Sequence, residues 1–169
     1  MSYSLFNALF LTTTYALFKA NVSHHMLPMA ICSTYATVVP WYASIVAFDM
    51  SLPEHMMRRY GWSRATFILG DVILHVVPLM IAVMEHINIR RGYYTHLYSH
   101  QQLAHAHIVQ HCGLYSLLLH LLWPFCMGLS SFNISPIYVD QPCTTINQLW
   151  SIAVITHMLS MLSLVPYLQ

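Results

Sequence analysis

The stretch ATFILGDVILHVVPLMIAVMEHI, Ala65 to Ile87, decides the fold class. It is long enough to cross a bilayer, which takes about 20 predominantly apolar residues. Four further apolar stretches accompany it: about Tyr3 to Phe18, Met26 to Met50, Ile108 to Leu129 and Leu149 to Leu168. The expected fold is therefore all-α: a polytopic transmembrane bundle of about five spanning helices (3–18, 26–50, 65–87, 108–129, 149–168), one domain over residues 1–169.

Composition points the same way. The chain is 57% hydrophobic and only 7% charged, against about 25% charged residues in ordinary soluble domains. So little charge cannot clothe a soluble core, whereas lipid tails solvate an apolar surface directly. The net charge of +1 offers no basic field for nucleic acid. The lone lysine, Lys19, falls at a helix end, which excludes a retinal-type Schiff base within the membrane. Met1 to Phe18 has no basic residue ahead of its apolar run, so it reads as a first spanning helix and not as a cleavable signal. Cys32, Cys112 and Cys126 lie inside apolar stretches as small packing residues, Cys143 lies outside them, and no CxxC pair occurs.

Short links join the helices. Ser51 to Arg64 reads as a polar link and Ser130 to Gln148 as an extended loop, while Asn88 to His107 is rich in His and Tyr. Five crossings put Arg58, Arg59 and Arg64 on one side and Lys19, Arg90 and Arg91 on the other. That balance gives the positive-inside rule nothing to decide. Trp41, Tyr42, Tyr60, Trp62, Tyr93, Tyr94, Tyr98, Trp150 and Tyr167 fall near helix ends and read as an interfacial aromatic belt.

The polar residues inside the third stretch carry the chemistry. An ionisable side chain in hydrocarbon costs about 2.5–3.5 kcal/mol on insertion scales, so Asp71 must face the interior and find a partner. His75 is one turn on, at the i+4 position that shares its face. A carboxylate holding an imidazole fixes its tautomer and raises its basicity, as a general base requires. Pro78 removes the amide that would bond the Leu74 carbonyl. A polar pair that only locks helix packing explains the same residues. In the first helix, Ser4, Asn7, Thr12, Thr13 and Thr14 are polar. Their hydroxyls can bond back to their own helix, or one could complete a nucleophile, base and orienter set with His75.

Twelve histidines are present. His96 with His100, and His107 with His111, have i, i+4 spacing that could hold a metal. His120 and His157 fall within spanning stretches, where axial haem ligation is chemically compatible. The chain has no dense HxxHH box of the membrane di-iron kind. Interfacial histidines account for the pattern without a metal. No cofactor is expected beyond bound lipids.

Gly70-Asp-Val-Ile-Leu-His-Val-Val-Pro78, followed by Glu85 and His86, resembles a motif of the androgen-induced-gene family of membrane hydrolases. Trp123 and Pro136-Ile137-Tyr138 resemble the aromatic and Tyr/Pro-bearing loop that follows in that family. The resemblance implies cleavage of fatty-acid esters within the membrane, with His75 as the family's histidine and Asp71 beside it. The family's threonine has no single counterpart; Ser4 or one of Thr12 to Thr14 lies in the corresponding helix. Gly70, His75, Val76, His100, His111 and Gly128 are also similar in spacing to positions of cytochrome c oxidase subunit three, a non-catalytic subunit whose acidic position falls here on Ala104. Enzyme and non-enzyme readings thus both stand. Requiring fewer assumptions, an accessory or structural subunit of a membrane assembly leads, with the mitochondrial inner membrane and its respiratory chain as the setting, and the bilayer and other membrane subunits as partners. A membrane-embedded lipid-ester hydrolase is the alternative.

Overall fold

The computed structural model describes residues 3–21, 26–48, 52–94 and 143–167. Every element among them is helical. In chain order they are α1 (Tyr3–Lys19), α2 (Leu27–Ala43) running into a π-helical turn (Ser44–Phe48), α3 (Leu52–Tyr60), α4 (Arg64–Asp71), a second π-helical turn (Val72–Val76), α5 (Val77–Arg90), and α6 (Cys143–Leu164) with a 3₁₀ turn (Val165–Tyr167).

The third apolar stretch is one continuous helix, Arg64–Arg90, of 27 residues. At 1.5 Å per residue it is about 40 Å long, more than the ~30 Å of a hydrocarbon core. Leu27–Ala47 makes a second helix of 21 residues. These two are long and apolar enough to cross a membrane; α1 and the apolar part of α6, Ser151–Leu164, are shorter.

The two long helices differ in what surrounds them. Leu27, Ala30, Ile31, Cys32, Ala36 and Val38 of α2 are all buried, because α1, α5 and α6 pack around it. Its small residues let neighbouring backbones approach closely. Thr34 and Thr37 satisfy their hydroxyls on the carbonyls of Ala30 and Ser33, at 2.8 and 2.9 Å. The core gathers Leu11 and Phe18 of α1, Ala82 and Ile89 of α5 and Leu164 of α6 onto that helix. By contrast, the Arg64–Arg90 helix turns Ile68, Leu69, Ile73, Val77, Met80, Met84 and Ile87 outward. From Leu69 on, their spacing of three and four residues makes one apolar stripe down its length.

Contacts at the helix ends fix the directions. Lys19, closing α1, meets Glu85 near the end of α5. Ser163, near the end of α6, meets His86. So α1, α5 and α6 run the same way and α2 runs against them.

Two expectations need correcting. The link from Ser51 to Arg64 holds a helix, α3, closed by Gly61 at φ 64° with the Trp62 N–H donating to the Met57 carbonyl at 2.9 Å. Its apolar residues recur on one side only, so it carries no continuous apolar run to read. The loop expected to reach Gln148 is already helical from Cys143. The fourth stretch, Ile108 to Leu129, lies outside the described residues, as do His96, His100, His107, His111, His120, Trp123 and Pro136 to Tyr138.

Candidate functional site

Asp71 is the hub of a polar cluster between α2 and the Arg64–Arg90 helix. Its Oδ1 accepts from Trp41 Nε1 at 2.7 Å and lies 2.9 Å from His75 Nδ1, while Oδ2 accepts from the Tyr42 hydroxyl at 3.0 Å. A carboxylate oxygen at that range calls for the proton on Nδ1. The imidazole stacks on the Trp41 indole, with centroids 4.9 Å apart and planes 10° apart, and meets the Tyr42 ring edge-on at 6.4 Å. His75 is buried, with the Asp71 carboxylate and the two rings fixing its orientation.

Local sequence explains the arrangement. Pro78 cannot donate to the Leu74 carbonyl, and just upstream the ladder slips to a π turn in which the Val77 N–H reaches back to Val72. In α2, Pro40 precedes Trp41 and Tyr42, and the Ser44 N–H is shared between the Pro40 and Trp41 carbonyls as the first π turn begins. Both π turns therefore flank one carboxylate. Such turns are frequent at functional sites, where they re-aim side chains.

The first helix supplies no hydroxyl set aside for chemistry among those described. Thr12 Oγ1 donates to the Ala8 and Leu9 carbonyls at 2.8 and 3.1 Å, Thr14 donates to the Phe10 carbonyl, and Thr13 faces outward. The Ser4 side chain lies outside the described residues. His157 is fully buried in α6 beside the Cys32 backbone. No group of three His, Cys, Asp or Glu side chains converges to hold a metal among the described residues.

A second cluster, which the sequence did not disclose, sits near the other end of the same helix. Glu85 is 2% exposed and pairs with Lys19 at 3.3 Å. The Tyr94 hydroxyl donates to Glu85 Oε2 at 2.6 Å, and Asn88 Nδ2 approaches the same oxygen at 3.4 Å. The ammonium also lies over the rings of Tyr15 and Phe18, at 5.1 and 5.6 Å. Burial, with Glu85 beside it, holds the Tyr94 phenol above its ordinary range, against the opposing pull of Lys19. One signal was available: α1 and α5 both end on the same side if crossings alternate, which brings the lone lysine towards Glu85.

Comparison with protein-family models, with curated proteins and with solved structures returned no match.

Proposed function

We propose that this chain is a multi-pass membrane protein serving as an accessory or structural subunit of a larger membrane assembly. What carries this reading is the full use of Asp71, whose three donors come from two helices. A carboxylate so satisfied loses much of its cost in hydrocarbon and cross-ties the helices, and it needs no substrate to explain it. The outward stripe of Ile68, Leu69, Ile73, Met80 and Met84 suits lipid or a neighbouring subunit. A multi-pass topology is supported by direction: α5 ends at one end of the bundle and α6 begins at the other, as alternating crossings require. The spacing shared with oxidase subunit three makes a respiratory complex of the mitochondrial inner membrane the first assembly to examine.

The test is native purification in mild detergent, with co-purifying proteins identified and an absorption spectrum taken. The expected outcome is a stoichiometric complex. A chain that purifies alone, cleaves a fatty-acid ester and loses that activity in His75→Ala would overturn the subunit reading.

The 2.9 Å contact between Asp71 and His75 favours a second reading, a lipid-ester hydrolase of the androgen-induced-gene type. In it His75 is the base, Asp71 orients it, and a first-helix hydroxyl attacks the ester. Thr12 and Thr14 would first have to leave their carbonyl partners, which makes Ser4 the first nucleophile to substitute.

A further inference from the structure

α3 is amphipathic in a way the spanning helices are not. Pro53, Met56 and Met57 are half-buried on one side, while Glu54, Arg58 and Arg59 are exposed. Arg64, also exposed, opens the next helix, where the helix dipole disfavours a cation; helix stability therefore does not account for it. Among the described residues the carboxylates of Glu85 and Asp71 are met by Lys19 and His75, so neither serves as partner to these three guanidinium groups. Tyr60 and Trp62 stack on each other at 5.2 Å and stay about two-fifths exposed, at 42% and 41%. One turn beyond Arg64 the apolar stripe begins at Ile68 and Leu69. Cations and amphipathic rings, interleaved from Arg58 to Arg64, thus give way to bare aliphatic side chains from Ile68 on, as a bilayer's headgroup region gives way to its acyl chains.

We infer that α3 lies in the membrane interface and that Arg58, Arg59 and Arg64 hold the phosphates of anionic lipids. A guanidinium fork matches phosphate oxygens in pairs, and Tyr60 and Trp62 set the depth. The inference rests on the chain being membrane-embedded, which alkaline carbonate extraction tests separately.

The experiment is a phosphatidylglycerol titration of the full chain in mild detergent, with bound lipids counted by native mass spectrometry and phosphatidylcholine as the neutral comparator. Phosphatidylglycerol should bind in preference and weaken as salt rises. Each of Arg58→Gln, Arg59→Gln and Arg64→Gln should lower its affinity about five-fold. The triple lysine variant should retain binding, and Arg90→Gln with Arg91→Gln, at the opposite end of the helix, should leave it unchanged. Equal uptake of both lipids, salt-insensitive binding by the unaltered chain, or undiminished binding by the glutamine variants would overturn the inference. Displacement by millimolar inorganic phosphate would do so too, since it would mark a soluble-anion site.

Discussion

The Arg64–Arg90 helix carries two carboxylates turned towards other helices, Asp71 half-buried and Glu85 buried, and the protein treats them differently. Asp71 is met by uncharged donors, the Trp41 indole and Tyr42 hydroxyl of α2, together with an imidazole of its own helix. Glu85 is met by a full cation from α1, Lys19, which is itself 48% exposed. The first cluster is a lattice of aromatic groups stacked around a half-buried carboxylate. The second is an ion pair that opens to solvent on its cationic side. Fourteen residues separate them, about 21 Å along the helix, so they act as independent ties at opposite ends of the bundle. The buried Trp41 indole loses its acceptor outright when Asp71 goes, whereas a half-exposed ammonium can turn to water.

Asp71→Ala should therefore be the most damaging change, costing about 3–5 kcal/mol, because Trp41, Tyr42 and His75 all lose their shared acceptor. Thermal unfolding in detergent, followed by circular dichroism, reads the effect. Should Glu85→Ala cost as much, the contrast between the clusters fails. Trp41→Phe keeps the ring but removes one donor to a charged acceptor, and about 2 kcal/mol should go with it. The Tyr42→Phe loss should be non-additive with it, since both serve one carboxylate.

Lys19→Met ranks lower, at about 1–2 kcal/mol, between the values for surface and buried pairs. Its effect should shrink in high salt, while that of Trp41→Phe should not. An equal salt response in both variants would erase the distinction. Smallest is the contribution of Tyr94 protonation. Folding raises its phenol above the ordinary 10.0. A raised value favours the protonated form in the folded state, so the contribution is complete below that pH and is lost as pH climbs through the folded value. The stability difference between the unaltered chain and Tyr94→Phe should be flat at neutral pH and fall only on the alkaline side.

How legible each cluster was follows from sequence distance. Asp71 and His75 lie four residues apart, so helical periodicity alone put them on one face. Trp41 and Tyr42 were legible as residues but not as partners. Belt chemistry explained them well enough, and nothing in their surroundings pointed to a carboxylate 30 and 29 residues on. Lys19 and Tyr94 are 75 residues apart and meet only through the packing of the helices between them. The helices themselves were read closely where apolarity is continuous: α1 extends one residue past its expected end, and the third stretch gains one residue at its start and three at its end. Amphipathic α3 escaped because its signal is an angular one. The π turns escaped because Pro40 and Pro78 mark where the backbone ladder is broken but not how it closes again.

The turn at Val72–Val76 has a consequence for how the two ends of its helix are phased. A π turn holds one residue more than the regular spiral, in which each residue advances the helix by about 100°. The surplus residue is absorbed in the wide turn, as slack that keeps two keys cut on one shaft in line. Deleting Ile73 would restore the regular winding and leave the downstream face where it is. Asp71 would still face Trp41 and Tyr42, and Glu85 would still face α1. A thiol cross-link formed between Lys19→Cys and Glu85→Cys should then survive that deletion, whereas deleting Met80 from the regular helix downstream should swing Glu85 away by about 100° and abolish it. A helix of this kind can thus shed its surplus residue without parting either cluster from its partners.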